Sequence, residues 1–193
     1  MLTPGLWTVS DNVTWRAALD AYPAVIAQQS PPRLVELDTW YRQTLTSDVQ
    51  ARSPRLVTHE ELVRLTEWKM TRGVWRGPNL TLVRSNTPDA VERAGRLAAE
   101  HIAQLTKAIG AYTALAGVGP ATASAVLALV APDRYPFFDE IVAAQVDGLG
   151  PVAWSTSYYR RYAAALVERA TQLGAGWDAV MVERALWANG AAA

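Results

Sequence analysis

The sequence predicts an all-α protein with one packed core. Half of its 193 residues are hydrophobic, and in the long segments they recur at helical spacing, whereas alternating, strand-like runs are short. The interruptions at 30–33, 52–54 and 174–176 contain proline or glycine, and they are too short to be flexible interdomain linkers. We therefore expect residues 1–193 to fold as a single all-α unit.

Two of the predicted helix starts carry explicit signals. Thr58 and Glu61 form the Thr-x-x-Glu pattern of a capping box, and Asn86-Thr-Pro-Asp supplies a cap followed by an early proline. The predicted helices cover about 13–28, 33–51, 59–72, 80–86, 88–109, 111–115, 120–130, 138–147, 156–173 and 177–188. We expect them to form two lobes that share an interface: residues 1–57 with 153–193, and residues 58–150.

Composition excludes several classes of protein and of site. No apolar run is long enough to span a bilayer, and Met1–Trp7 lacks a basic region followed by an apolar one. We therefore expect a soluble, cytoplasmic protein without a membrane partner, associated with the nucleoid if the source is bacterial. The absence of cysteine excludes disulfides, a thiolate nucleophile and cysteine-held zinc or iron–sulfur sites. His59 and His101 lack metal-ligand spacing, so no metal or other cofactor is expected.

The charge of the whole chain gives no preference for nucleic acid, but the charge is unevenly distributed. Eighteen basic and eighteen acidic side chains cancel, so any DNA-binding surface must depend on local charge. Residues 68–88 contain no acidic side chain, which suits a surface that meets phosphates. The cations within this stretch are Lys69, Arg72, Arg76 and Arg84. A second acid-free stretch, 101–132, is interpreted for most of its length as buried, apolar chain.

The most informative segment is Leu115–Leu127, which contains a glycine-rich turn between two predicted helices. Gly117 and Gly119 free the backbone for positive φ and for close approach by another molecule, and Pro120 suits the first position of the second helix. Outward-pointing amides at the positive end of that helix would form an anion site for a phosphate. This pattern predicts a helix-hairpin-helix motif within 111–131 that contacts the backbone of a nucleic acid. The alternative is a turn between two core helices.

Residues 115–139 resemble the signature region of the helix-hairpin-helix DNA glycosylase superfamily, which includes endonuclease III. In that family an Asp that faces the target nucleotide follows the hairpin, and Asp139 lies 22 positions after Gly117, at the family's usual spacing. The resemblance implies an all-α, two-lobed, DNA-glycosylase-like fold with DNA as the partner. It also implies DNA contacts from the hairpin residues Gly117, Val118, Gly119, Ala121 and Thr122.

Three departures from the family's pattern affect the expected chemistry. Ala121 stands where bifunctional members have the Lys that forms a Schiff base, so the resemblance implies the monofunctional branch. Glu140-Ile141 replaces the Thr-His pair that often follows the catalytic Asp. The cysteines that bind the iron–sulfur cluster are missing, as they are in some members of the family.

Asp139 is the candidate catalytic residue for cleaving an N-glycosidic bond. Departure of the base leaves positive charge on the deoxyribose, which a fixed carboxylate stabilises while it orients or deprotonates water. The apolar segment Tyr135–Phe138 is expected to shield this carboxylate from bulk water. Glu140 is the alternative, because neighbouring residues at a helix start point in different directions. Asp139 also fits a helix N-cap, and that role is compatible with catalysis.

The segment Trp68–Arg76 is the second candidate for a functional surface. A glycosylase stacks the extruded base between aromatic or apolar side chains, and the candidates for such a base pocket are Trp68, Trp75, Tyr135 and Phe138. The cations expected to form a DNA-binding edge beside it are Lys69, Arg72 and Arg76. The alternative is that both tryptophans belong to the core and that the cations form a solvated face.

Three functions fit these residues. The first is a monofunctional base-excision glycosylase, a DNA-repair hydrolase that cleaves the N-glycosidic bond of a damaged or mispaired base. The second is a non-catalytic helix-hairpin-helix module that binds DNA or senses damage, which the zero net charge and the missing Thr-His pair favour. The third is a helical interaction protein in which the Gly-Val-Gly turn is only structural.

Overall fold

A computed structural model describes residues 5–192, and over this range the protein is all-helical, as predicted. A 3-10 turn at Leu6–Thr8 precedes α1 (Asn12–Ala27), α2 (Arg33–Thr39) and α3 (Thr46–Ala51), and a π-helical segment, Trp40–Leu45, joins α2 to α3. The remaining helices are α4 (His59–Arg72), α5 (Gly77–Arg84), α6 (Pro88–Glu100), α7 (Leu105–Thr113), α8 (Pro120–Val130), α9 (Glu140–Ala143), α10 (Thr156–Leu173) and α11 (Ala179–Ala191).

Both helix starts that carried explicit signals are confirmed. At α4 the Thr58 hydroxyl accepts a hydrogen bond from the Glu61 amide, and the Glu61 carboxylate accepts one from the Thr58 amide at 2.8 Å. At α6 the Thr87 side chain accepts from the Ala90 amide, and Pro88 lies in the first turn. These caps satisfy amides that have no partner within their own helix.

Three predicted helices differ from the observed ones. The one predicted over 111–115 is not separate, because α7 runs from Leu105 to Thr113. The helix predicted over 88–109 is interrupted at 101–104 and resumes as α7, although this stretch contains neither glycine nor proline to signal a break. The helix predicted over 138–147 is reduced to α9. After Ala143 the chain continues in turns, in which the Gln145 and Val146 amides donate to the Val142 and Ala143 carbonyls, and Gly148 and Gly150 then adopt positive φ values of 80° and 70°.

One continuous hydrophobic core runs from Leu6 to Ala188 and includes residues of both predicted lobes. α11 packs against α1, α9 and α10, and α4 packs against α2, α5 and α8. The division into lobes stays a prediction. Within the described range no helix combines the length and the apolar character that crossing a bilayer requires.

Candidate active site

Three segments that the sequence analysis singled out separately meet around one pocket of about 430 Å³. The C-terminal end of α4 contributes one wall, the hairpin before α8 a second, and the loop before α9 a third. The lining residues are Lys69, Arg72, Gly73, Val74, Arg76, Asn79, Gly117, Gly119, Pro120, Ala121, Thr122, Phe137, Phe138, Asp139, Glu140, Ile141 and Trp154. Asp139 therefore opens into a cleft beside the hairpin.

Asp139 is the N-cap of α9, as its position after an apolar loop suggested. Its Oδ1 accepts hydrogen bonds from the Ile141 amide at 2.8 Å and the Val142 amide at 3.4 Å, and its Oδ2 accepts one from Arg72 Nε at 3.1 Å. The residue is 9% exposed and lines the pocket. The carboxylate is thus held from two directions, in a residue that still lines the cavity.

Hydroxyl groups of α8 and α10 hold the loop that carries Asp139 in place. The Ser124 hydroxyl of α8 accepts a hydrogen bond from the Phe138 amide at 2.9 Å. From α10 the Tyr159 hydroxyl donates to the Pro136 carbonyl at 3.0 Å, and the Tyr162 hydroxyl donates to the Phe137 carbonyl at 2.7 Å. Because these partners are buried, the loop is anchored to the core immediately before the carboxylate.

Arg72 is the link between Asp139 and a buried group of charged side chains. Its side chain is 1% exposed, and besides Asp139 it donates to the Glu183 carboxylate and to the Tyr22 hydroxyl, the latter at 2.9 Å. Its guanidinium lies 4.3 Å from the centre of the Trp187 ring. This corrects the predicted DNA-binding role of Arg72, because the side chain is buried and each of its three nitrogens donates to a group within the protein.

The buried group of charged side chains extends beyond Arg72 to Arg42 and Asp38. Glu183 is completely buried and also accepts a hydrogen bond from Arg42 Nη2 at 2.9 Å. Asp38 accepts from Tyr22 and from the Trp68 indole at 2.8 and 2.9 Å. Burial by itself lowers the pKa of Arg72, but the nearby Tyr22, Glu183 and Asp139 raise it above its ordinary value. Arg72 therefore remains a cation that holds the Asp139 carboxylate.

Gly117 is required by the packing of the hairpin against α5. Its φ is +73°, and a Cβ at this position would lie 2.6 Å from the Asn79 carbonyl oxygen and 2.9 Å from the Val83 amide nitrogen. The Asn86 side chain secures the same turn, since it accepts from the Ala116 amide and donates to the Ala116 carbonyl, both at 3.0 Å. Gly117 is therefore a glycine for reasons of folding.

Gly119 differs from Gly117 both in its backbone conformation and in the space available to a side chain. Its φ of −97° and ψ of −179° are extended backbone that any residue adopts, and nothing lies within 4 Å of a Cβ built there. The residue is exposed and lines the pocket. The fold does not demand a glycine at position 119, so its missing side chain leaves the helix start open to a ligand.

Fewer backbone amides of the hairpin are available to bind an anion than the sequence predicted. The Val118 amide donates to the Leu115 carbonyl at 3.2 Å, and the Val118 side chain is buried. This corrects the placement of Val118 at the DNA surface. At the start of α8, no acceptor among residues 5–192 takes a hydrogen bond from the amides of Gly119, Ala121 or Thr122. These three amides are at the positive end of the helix dipole.

Of the four aromatic residues predicted to form a base pocket, one lines the observed pocket. Trp68 is completely buried and stacks on Tyr41 with ring centres 3.8 Å apart, and Tyr135 is 1% exposed and donates to the Ile102 carbonyl. Neither lines the pocket, so both assignments are corrected: these rings are core residues. Phe138 does line the pocket, from its buried side. Trp75 is exposed and is not part of the lining.

The pocket also contains charged side chains that form no salt bridge within residues 5–192. Lys69 and Arg76 line it, and neither forms a salt bridge with a residue of the described range. Burial, and after it the charge of Arg76, lowers the pKa of Lys69. Glu140 is exposed on the opposite wall and likewise has no salt bridge within that range. The pocket thus has cations on its α4 side, and carboxylates beside aromatic rings on its α9 side.

Sequence reasoning missed two residues that shape the site. Trp154 is half exposed, lines the pocket, and contacts Phe138 with ring centres 4.8 Å apart. No pattern in the sequence marks it, because it reaches the site from the irregular segment before α10. Glu183 was detectable in principle, since it is an acidic residue between Val182 and Ala185 on an otherwise apolar helix face.

Comparison with protein-family models, with curated proteins and with solved structures finds no match for this chain. The resemblance to the glycosylase superfamily therefore depends on the residues between 115 and 139 alone.

Proposed function

We propose that the protein binds DNA and hydrolyses the N-glycosidic bond of a damaged or mispaired base, with Asp139 as the catalytic residue. The observation that carries this proposal is the convergence of three features on one pocket. These features are hairpin amides without acceptors among residues 5–192, an ion-paired carboxylate that lines the pocket, and two cations that form no salt bridge in that range. Each feature is common by itself, but together they provide groups that can bind the phosphates and the sugar of a DNA strand.

The hairpin is suited to hold a phosphate of the strand. The amides of Gly119, Ala121 and Thr122 lack acceptors within the described chain, and the absence of a side chain at Gly119 permits close approach. Such amides at a helix start bind anions through hydrogen bonds and the helix dipole. Lys69 and Arg76 add positive charge on the facing wall. This charge compensates locally for the zero net charge of the chain.

The cavity is suited to an extruded base. Its volume of about 430 Å³ falls in the range of roughly 300–1,000 Å³ that small-molecule sites occupy. Phe138, Trp154 and Ile141 provide apolar surface against which a base can stack. A base held there has its sugar at the pocket mouth, beside the hairpin that holds the phosphate.

Asp139 then acts on the sugar. As the base leaves, C1′ gains positive charge, and a carboxylate fixed beside it stabilises that charge without reorganising. Arg72 and the α9 amides hold the Asp139 carboxylate in place, and the residue lines the pocket that receives the sugar or the attacking water. Glu140 is the less suitable carboxylate, because it is exposed and has no partner to fix its position among the described residues.

A second candidate is supported by the same ion pair. Arg72 and the two amides use most of the acceptor capacity of Asp139, which is what a purely structural N-cap would also show. A non-catalytic DNA-binding module would keep the hairpin and the cations and would use Asp139 only to start α9.

An excision assay on duplexes with single lesions or mismatches separates the two candidates. We expect alkali-labile abasic sites with at least one lesion, their loss in Asp139→Asn, and their retention in Glu140→Gln. DNA binding should survive both substitutions. A panel of oxidised, deaminated, alkylated and mispaired bases that yields no product, from protein that binds the same duplexes, would leave the non-catalytic module.

A further inference from the structure

Glu183 lies outside the pocket, but charged side chains join it to Asp139. It belongs to α11 and is completely buried, in a stretch where Val182 and Ala185 are also completely buried. Replacing buried ion pairs with well-packed hydrophobic residues is often neutral or even stabilising. Stability alone therefore does not explain a carboxylate at this position, and its partners indicate a second role.

Glu183 fixes the direction in which Arg72 presents its third nitrogen. The Glu183 Oε1 accepts from Arg72 Nη2 at 2.5 Å, and its Oε2 accepts from Arg42 Nη2 at 2.9 Å. Arg72 Nη1 donates to the Tyr22 hydroxyl at 2.9 Å, and Arg72 Nε donates to Asp139 Oδ2 at 3.1 Å. Because a guanidinium is planar and rigid, holding Nη1 and Nη2 determines where the Nε–H points. In this protein it points at Asp139.

Glu183 also determines how much of the Asp139 charge is cancelled by Arg72. An arginine paired with Asp139 alone would offset the charge that the carboxylate is proposed to present to the sugar. Here two carboxylates share one guanidinium, and Glu183 is the closer partner, at 2.5 Å against 3.1 Å for Asp139. Charges are weakly screened in a buried group, so this sharing leaves a larger negative potential at Asp139.

We propose that Glu183 is a positioning residue that acts through Arg72: it orients the Asp139 carboxylate and preserves its negative charge for the sugar cation. The inference rests on the proposed function for what the carboxylate does, whereas the orientation of Arg72 is a property of the protein without DNA. Glu183 does not itself contact the substrate, because it is buried and does not line the pocket.

The first test compares two duplexes, one with a cationic pyrrolidine in place of a nucleoside and one with a neutral tetrahydrofuran. Glu183→Gln keeps the shape of the side chain and removes its charge, so we expect the preference for the pyrrolidine duplex to fall at least tenfold. Fluorescence anisotropy measures both affinities. Their ratio does not depend on the fraction of folded protein, because both duplexes require the folded state. A merely structural role would therefore leave the ratio unchanged.

Two further variants complete this test. Glu67→Gln is the matched control, because Glu67 also accepts from two arginines, Arg33 at 3.0 Å and Arg84 at 2.8 Å, but has no link to Asp139. Its ratio should equal that of the wild type. Arg72→Lys keeps the positive charge without the planar fork that reaches both carboxylates, so its ratio should fall as well. This variant keeps the test decisive if Glu183→Gln does not fold, since an unchanged ratio would overturn the inference.

The second test needs no DNA and observes the Arg72 Nε–H group by NMR. Its signal is assigned by its absence in Arg72→Lys, and its chemical shift reports on the folded protein alone. We expect the proton to move upfield in Glu183→Gln as the hydrogen bond to Asp139 is lost, and to stay in place in Glu67→Gln. An unshifted signal in folded Glu183→Gln would overturn the inference.

The outcomes separate this inference from the proposed function. If the wild type prefers the pyrrolidine duplex and Glu183→Gln retains the full preference, the role of Glu183 is refuted and that of Asp139 stands. If the wild type binds both duplexes equally, the proposed function is refuted, and the Arg72 signal alone decides whether Glu183 orients the Arg72–Asp139 pair.

Discussion

On one side of Asp139 lies a group of buried, ion-paired side chains, and on the other lies a pocket whose cations have no such partners. The inner side contains Arg72, Glu183, Arg42 and Asp38, and each of these side chains forms a salt bridge within the protein. The outer side contains Lys69 and Arg76, which form no salt bridge within the described range.

This difference indicates that the inner group contributes to the stability of the fold, whereas the outer cations are available to pair with another molecule. A buried charge without a partner is strongly destabilising, so removing any member of the inner group is expected to lower the stability of the fold. A cation at the edge of a pocket costs little in the free protein and gains its partner when an anion binds. Asp139 belongs to both regions, and the substitutions below test each side in turn.

Removing the central acid of the inner group should have the largest effect on stability. Glu183→Ala leaves Arg72 and Arg42 buried without their shared carboxylate, and we expect a loss of about 3–5 kcal/mol in the free energy of unfolding. Urea denaturation followed by circular dichroism measures it. Glu92→Ala is the control, because its pair with Arg96 is more than half exposed and such pairs contribute about 0–1 kcal/mol. Equal losses for both variants would show that burial does not distinguish them.

A substitution in the hairpin should cause the next largest loss of stability. Gly117→Ala places a methyl group against the α5 backbone and forces positive φ on a residue with a side chain. Positive φ alone costs on the order of 1–3 kcal/mol, and we expect the loss to reach at least that range in the same urea titration. A variant as stable as the wild type would mean that the turn is free to move away from α5.

On the outer side, Arg76→Gln should weaken DNA binding without destabilising the protein. Because Arg76 is exposed, its removal costs little folding energy. If it contacts one phosphate, the slope of log affinity against log salt concentration should decrease by about 1. Fluorescence anisotropy at several salt concentrations measures the slope. Arg93→Gln on the exposed face of α6 is the matched control, and an identical change in both variants would indicate a nonspecific effect of charge.

Substitution of the second hairpin glycine should change stability only slightly, and in the stabilising direction. Gly119→Ser introduces a favourable N-cap at the start of α8, where nothing obstructs the side chain, so stability should rise by a few tenths of a kcal/mol. The same serine occupies the helix amides and fills the approach, so DNA affinity should fall. Opposite signs in the two measurements are the expected result, and unchanged affinity would show that the strand does not approach α8 here.

Local patterns predicted the helices better than they predicted which side chains reach the pocket. The capping box at Thr58 and the turn at Gly117 depend on neighbouring residues, and both are where the sequence indicated. The spacing from Gly117 to Asp139 also brought the carboxylate to the hairpin. Arg72 and Trp68 were misplaced because helical spacing does not reveal which face of α4 meets α11 and the core. Trp154 and Glu183 join the site through contacts between distant segments, which periodicity does not encode.

The claim that Asp139 stabilises positive charge at a sugar can be tested without knowing the lesion. Two duplexes are compared, one with a neutral tetrahydrofuran in place of a nucleoside and one with a cationic pyrrolidine that mimics the charged sugar. Because mimics of a transition state bind far more tightly than ground-state ligands, we predict a preference of about 100-fold or more for the pyrrolidine duplex. Asp139→Asn should abolish that preference while it leaves tetrahydrofuran binding intact. Equal affinity of the wild type for both duplexes would contradict a catalytic role for this carboxylate.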